Sequence, residues 1–406
     1  MNDGPPSSPP RSWPTGGPSS DVAVPSVNVS SDLKASLSKG HPWIYRDHLP
    51  AGIDLAPGSW LRVHCDDWTG VGIFDPASPL TVRIYSRGHV PNAAWFEQSV
   101  ARAARRRAPL LADGLTNAYR LINGEGDGLP GIVVDVYGPF AVVHLDSSAL
   151  VRLVPWVVSA VQRAVDVKGV CQKAAEGGLQ VLAGRAPPER LIVSEHGLRF
   201  FADLGSGQKT GLFLDHRENR RSLGQWCQGA AVLNLFSYTG AFSLHAARGG
   251  ARRIVSVDRA AEAMVRARDN VALNGFDSDV FEFVTDDAVK YLETAAREHQ
   301  AFDVVITDPP SFARNRMQRR RALRAYERLH TLALAVLAPG GLYAAASCTS
   351  QIDVETFRDS VAQAAIRTRR SLQLVMDAGQ TIDHPVMVGH PEGRYLKFLA
   401  LRSVDD

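Results

Sequence analysis

The tightest constraint on the fold is residues 231–258, AVLNLFSYTGAFSLHAARGGARRIVSVD. The apolar run over 231–236 is short enough for a buried parallel strand, and Gly240 opens a helical run that closes at Gly249-Gly250. A second apolar run over 254–257 ends on Asp258. Strand, tight turn, helix and strand make one half of a nucleotide-binding sheet. Asp258 stands eighteen positions after Gly240, where a carboxylate can accept both hydroxyls of a bound ribose. The turn narrows the ligand further. A dinucleotide needs several glycines so that backbone amides can approach a pyrophosphate, and Ser237-Tyr238-Thr239-Gly240 offers one glycine beside a bulky tyrosine. S-adenosyl-L-methionine, which carries adenosine but no phosphate, fits that turn; a βαβ unit that binds nothing would share the turn but not the motifs downstream of it.

Residues 196–406 continue the alternation, with strands near 231, 253, 280, 303, 341, 372 and 395 and helices between them. This predicts an α/β fold with a doubly wound, seven-stranded Rossmann-like sheet, whose ligand lies at the carboxyl ends of the strands. Asn234, Asp258, Asp286, Asp308 and Cys348 all fall there. Upstream, residues 1–30 are rich in Pro, Ser and Gly and read as a disordered tail. Short alternating runs in 31–92, separated by Pro, Gly and Asp, predict a small β-barrel-like domain. Residues 93–195 read as an α+β middle domain with helices over 93–111 and 150–165. The first of these carries Arg102, Arg105, Arg106 and Arg107, a run that suits a solvated helix face or one turned toward phosphates.

Composition excludes several classes. The chain is 45% hydrophobic and 21% charged, lacks an apolar run long enough for a membrane span, and has no apolar signal core in its first 30 residues. Cys65, Cys171, Cys227 and Cys348 fit neither a disulfide framework nor a metal-binding spacing, so a reducing cytoplasm and no metal are expected. A net charge of +3 permits nucleic-acid binding without demanding it.

The chemistry centres on Asp308-Pro309-Pro310-Ser311-Phe312, where a buried strand stops on a carboxylate and two prolines of fixed φ. Carboxylate and carbonyls can accept from a planar amine-bearing base while Phe312 stacks on it; a Pro-Pro turn that merely ends a strand is the plain alternative. Cys348 follows the strand over 341–347 and should share a rim with Asp308. A lone cysteine is usually a small buried hydrophobe, but this one sits in the polar Ser347-Cys348-Thr349-Ser350. A thiolate beside a pyrimidine has a specific use, because carbon 5 becomes nucleophilic once the thiolate adds at carbon 6. Arg314, Arg316, Arg319, Arg320, Arg321, Arg324 and Arg328 lie between the two motifs, as a phosphate-binding surface or a solvated helix.

Over about residues 32–402 the chain resembles the bacterial 23S ribosomal RNA large-subunit methyltransferases of the cytosine carbon-5 type. The likeness runs through Gly40-His41-Pro42-Trp43-Ile44-Tyr45, which is similar to that family's PUA-type RNA-binding opening, and through Leu121-Ile122-Asn123-Gly124-Glu125. It continues in Gly207-Gln208-Lys209-Thr210-Gly211-Leu212-Phe213-Leu214-Asp215, Asp308-Pro309-Pro310, Ser347-Cys348 and Asp383-His384-Pro385-Val386, and ends in Pro391-Glu392-Gly393-Arg394-Tyr395-Leu396-Lys397. The resemblance implies that Lys209, Thr210, Phe213 and Asp215 lie against S-adenosylmethionine. By the same likeness Phe236, Tyr238 and Gly240 hold its methionine end, Asp258 its ribose and Asp286 its adenine amine. Asp308 would hold the base and Cys348 would attack it. From the residues themselves Pro309, Pro310 and Phe312 are expected against the base and Arg319, Arg320 and Arg321 against RNA, and Asp308 is expected to line the cofactor as well. The expected partner is 23S rRNA, with a homodimer allowed. Two motifs are also similar to a guanine N7 methyltransferase, so guanine N7 or exocyclic N-methylation is the same-class alternative, and an RNA-binding assembly factor without catalysis the alternative of another class. Cys348 and the ending over 383–397 favour cytosine. Ser311 departs from the lysine usual in the family, the Asp308 loop lacks the second cysteine of a related class, and the base that removes the carbon-5 proton is unassigned.

Overall fold

The computed structural model describes residues 24–173, 178–205, 212–313 and 315–404. Its first unit contains β1 (Ser26–Asn28), α1 (Lys34–Ser38), β2 (Trp43–Tyr45), β3 (Trp60–Cys65), β4 (Trp68–Phe74) and β5 (Leu80–Ser86), in one sheet of order β1-β3-β4-β5-β2. The tail expected over 1–30 is corrected at its end, because β1 pairs in parallel with β3, Val27 facing Val63. Val27 and Val29 pack against the core of this sheet, an apolar signal too short to stand out beside so much proline and serine.

The second unit has α2 (Ala93–Leu111), β6 (Ala118–Asn123), β7 (Ile132–Tyr137), β8 (Phe140–Leu145), α3 (Val154–Ala164), β9 (Gly169–Lys173) and β10 (Leu179–Gly184). Phe96 and Val100 of α2 and Val157 and Val161 of α3 close a core over Leu121, Val134 and Val143 of the sheet. The arginine run of α2 is not uniformly solvated: Arg107 is buried and grips Asp127 with two bonds of 2.7 and 2.6 Å. A hairpin, β11 (Leu191–Glu195) and β12 (Leu198–Ala202), straddles the boundary expected at 195. Its apolar face packs with Tyr137 and Phe140 on one side and Leu244 and Val271 on the other.

The third unit runs α4 (Arg217–Gly224), β13 (Ala231–Leu235), α5 (Ala241–Arg248), β14 (Arg253–Asp258), α6 (Ala261–Leu273), β15 (Phe281–Thr285) and α7 (Ala288–Arg297). It continues through β16 (Phe302–Thr307), α8 (Arg319–Ala335), β17 (Leu337–Ser347), α9 (Val354–Thr368), β18 (Leu372–Ala378) and β19 (Lys397–Ser403). The seven strands expected from the sequence form one sheet of order β15-β14-β13-β16-β17-β19-β18, with β19 antiparallel to both neighbours. The strand order reverses between β13 and β16, which opens a crevice at their carboxyl ends. Both faces of the sheet are covered, so β13 is buried along its whole length.

Charged pairs fasten the second unit to the third. Asp383 accepts from Arg217 at 3.0 and 2.8 Å and from the backbone of Arg120 at 2.9 Å, while its carbonyl accepts from Arg107 at 2.8 Å. The first unit meets the chain end at His41, His390 and Glu392, whose facing ligand atoms lie within 4.8 Å of one another. The Trp43 amide donates to His41 Nδ1 at 3.4 Å, so neutral His41 carries its proton on Nε2, facing Glu392 at 3.4 Å. That is a hydrogen bond between units.

Candidate active site

Two loops at the carboxyl ends of β13 and β14 shape the first half of the crevice. Phe236, Tyr238 and Gly240 all have positive φ, 58°, 48° and 81°, a rare density of left-handed backbone that folds the turn back on itself. Asp258 fixes the turn: one carboxylate oxygen accepts from the Tyr238 amide at 2.9 Å and the other from the Ala260 amide at 2.9 Å. Each oxygen keeps a further lone pair for a ligand hydroxyl. Asp286 lies beside it at the end of β15, its amide donating to the Asp258 carbonyl at 3.1 Å. Phe213 arrives from the segment before α4 and sets its ring against Tyr238 at 5.4 Å. Ser237 Oγ and Asp215 Oδ1 are buried without a hydrogen-bond partner among the described residues, polar atoms of the kind a ligand satisfies.

Asp308 leads the second half. His216, buried under Phe242 and Phe398, presents Nε2 to Asp308 at 3.4 Å. Burial works against its charge, but Asp308 and Asp215 outweigh it and raise the imidazole pKa. The Tyr395 hydroxyl donates to Asp215 at 2.7 Å. Burial alone would push that carboxyl up, yet His216, His384 and Tyr395 hold it down at about 2.

Beside this, the Cys348 turn is fastened to the Asp308 loop. Thr349 Oγ1 contacts Ser311 Oγ at 3.2 Å and accepts from the Phe312 amide at 3.3 Å. The Tyr326 hydroxyl bridges Ser347 and Thr349 at 2.9 and 2.8 Å, and burial pushes its pKa up to about 12. Lys397 Nζ donates to the carbonyls of Thr349 at 2.6 Å and Tyr395 at 2.8 Å. Cys348 itself is partly exposed, whereas Cys65, Cys171 and Cys227 are buried. The strands carrying Asp308 and Cys348 are neighbours, Thr307 facing Ala345.

The structure therefore gathers Phe213, Asp215, Phe236, Tyr238, Gly240, Asp258, Asp286, Asp308 and Cys348 along one rim. Lys209 and Thr210 lie outside the described residues. Other expectations are corrected. Asn234 is turned into the core, donating to Ser243 at 2.9 Å. Phe312 is not a free stacking ring: it packs on Tyr326 at 4.7 Å and against the sheet core. Pro309 is buried and Pro310 exposed, so only the second proline is open to a ligand. Arg319 is held by Asp353 at 3.2 Å and by Thr356 at 3.1 Å, which leaves Arg320 and Arg321 as the exposed members of the trio. His216, Tyr395 and Lys397 make contacts here that their motifs did not announce. Lys397 did carry a signal: a lysine inside the apolar run Leu396, Phe398, Leu399, Ala400, Leu401 needs a reason to be buried.

A family model described as S-adenosylmethionine-dependent methyltransferase matches residues 157–385. The chain belongs to that methyltransferase family. A second model, described as a PUA-like domain, matches residues 27–87, which takes in β1. The methyltransferase is 35% identical over 398 residues to the ribosomal RNA large subunit methyltransferase I of Klebsiella pneumoniae (strain 342), covering 94% of this chain and 99% of that one. The relative of the same name from Salmonella paratyphi B is 35% identical over 393 residues, 93% of this chain and 97% of that one. Among solved structures, one described as an S-adenosylmethionine-dependent methyltransferase from Streptococcus mutans is 26% identical with a TM-score of 0.84 over 93% of this chain and 100% of that one. Another methyltransferase structure, solved with SAH, is 26% identical with a TM-score of 0.85 over the same shares. S-adenosylmethionine is thus the cofactor, and Asp258, the Tyr238 turn and the orphaned Ser237 and Asp215 oxygens are groups that suit it. No described helix is long and apolar enough to cross a membrane.

Proposed function

We propose that this methyltransferase makes 5-methylcytosine in large-subunit ribosomal RNA through a covalent bond between Cys348 and the base. The observation that carries the reading is the pairing of β16 with β17. Asp308 and Cys348 follow the ends of these paired strands, and Cys348 is a partly exposed thiol in a polar turn while the other three cysteines are buried. The relatives named as ribosomal RNA large subunit methyltransferases, and the PUA-like unit, supply the substrate class.

Asp308, backed by His216, accepts from the amine edge of the cytosine and fixes its ring over Cys348. The thiolate adds to carbon 6, forming a sulfur–carbon bond and moving the ring electrons to carbon 5. S-adenosylmethionine supplies the methyl group that carbon 5 takes up. Water takes the carbon-5 proton, the electrons of that bond re-form the ring double bond, the sulfur–carbon bond breaks, and the thiolate is regenerated.

Cys348→Ser keeps the size but removes the thiolate, so single-turnover methylation with labelled cofactor should fall by several orders of magnitude while both ligands still bind. Substrate RNA carrying 5-fluorocytidine should trap the adduct on the wild-type enzyme, because fluorine cannot leave as a proton does. Near wild-type turnover in Cys348→Ser, with no trapped adduct, would move the assignment to guanine N7 or exocyclic N-methylation, where a nitrogen attacks directly and needs alignment alone.

A further inference from the structure

Lys397 opens β19 opposite Ser347 of β17, and its side chain is buried at 1% exposure beside the Cys348 turn. A lysine that deep normally faces a carboxylate, because an unpaired buried charge is costly. Both acceptors of this ammonium are neutral carbonyls, those of Thr349 and Tyr395. The carboxylates around it have cations of their own. Asp353, before α9, pairs with Arg319 at 3.2 Å, and Asp308, after β16, with His216 at 3.4 Å. Tyr326, on α8, is a neutral phenol at working pH. Among the described residues, the group left beside this ammonium is Cys348, which directly precedes the Thr349 carbonyl that Lys397 holds at 2.6 Å.

We propose that Lys397 is the positioning residue of Cys348: it holds the turn through the Thr349 carbonyl, keeps the sulfur as a thiolate, and stabilises that thiolate again when the bond to carbon 6 breaks. The proposal rests on the reading of Cys348 as the nucleophile. It gives the buried ammonium a partner that one of its three N–H groups remains to serve. Burial also pushes Lys397 down to about 8, against the pull of Cys348 and Asp353, so in mildly alkaline solution the ammonium loses its proton and the thiolate its positive partner.

The test is the pH dependence of iodoacetamide alkylation at Cys348, read by mass spectrometry of its peptide in the full-length protein without RNA or cofactor. Wild-type Cys348 should titrate at least one unit below the ordinary thiol value of about 8.5. Lys397→Met should bring it back to or above that value, slowing alkylation at pH 7 about tenfold while the alkaline plateau changes little. Superimposable profiles for the two proteins would overturn the proposal. So would a wild-type thiol of ordinary pKa, a measurement that needs no variant and stands if Lys397→Met does not fold. Because alkylation needs no turnover, the two failures separate: a Lys397-dependent shift without a trapped 5-fluorocytidine adduct overturns the covalent mechanism, not the pairing.

Discussion

At the scale of single residues, Asp258 does two things with one carboxylate. It pins a turn in which Phe236 and Tyr238 hold costly positive φ angles, and each of its oxygens has a lone pair beyond the bond it accepts there. Asp258→Ala should therefore weaken S-adenosylhomocysteine binding by about 2 to 4 kcal/mol, through missing ribose acceptors and a loosened turn. Calorimetric titration measures this, and unchanged affinity would remove Asp258 from the site. Gly240 matters for another reason than touching the ligand: at φ 81° it caps α5, and a Cβ there would meet the Ala267 Cβ of α6 at 3.2 Å. Asp258 could be proposed from the sequence because the argument for it lies in spacing along eighteen residues of chain. His216 could not be, and Lys397 announced only its burial, since each acquires its contacts from a partner brought close only by the sheet: Thr349 is 48 residues from Lys397 in the chain.

Among the elements, β13, β14 and β16 at the centre of the methyltransferase sheet were legible as short, buried apolar runs between helices, whereas β15 and β18 at the edges and antiparallel β19 were read from the continuing alternation of elements. The arginine helix was less so. Periodicity shows that several arginines share a face, but it cannot show that the N-terminal side of α9 supplies Asp353 and Thr356 to take up Arg319, or that Glu293 of α7 binds Arg328 at 2.5 Å. Of the trio expected to meet RNA, Arg320 and Arg321 are the exposed members, and the test of phosphate binding is made on them. The double alanine variant of these two should lower RNA affinity and flatten its salt dependence by about 0.7 units of log-log slope for each single-strand phosphate it no longer neutralises, with cofactor affinity unchanged. Arg319→Ala should leave the slope where it is. Equal slopes for the double variant and wild type would return α8 to a solvated helix.

For the whole molecule, the decisive contacts are buried ion pairs between segments far apart in the chain, which no local pattern announces. Glu195, at the end of β11, accepts from Arg220 of α4 at 2.8 and 2.6 Å and faces His245 Nε2 of α5 at 3.0 Å. Arg248 donates to the other ring nitrogen at 3.1 Å. His245 must therefore be neutral, with its one proton on Nε2, because a proton on Nδ1 would point at a guanidinium. Burial lowers its pKa to about 4, even though Glu195 pulls the other way. The folded pKa lies below the unfolded value near 6.5, so the unfolded chain binds the proton first as pH falls. The contribution of His245 is complete above pH 6.5 and is lost as pH drops toward 4, with a slope of at most about 1.4 kcal/mol per pH unit. Glu195, held well below the usual carboxylate range by Arg220 and His245 despite its burial, adds a further loss below its ordinary value of 4.5. His216 works in the opposite sense: its raised pKa contributes below 6.5 and is lost only as pH rises, so it adds little slope to the acid window. Urea midpoints of the full-length protein at pH 7.5, 6.5, 5.5 and 4.5 should thus fall steadily below about 6.5. In His245→Gln, whose amide can still donate to Glu195 but does not titrate, the fall between 6.5 and 4.5 should be visibly shallower. Parallel curves for the two proteins would mean that this junction of α4, α5 and β11 does not set the acid limit of the fold.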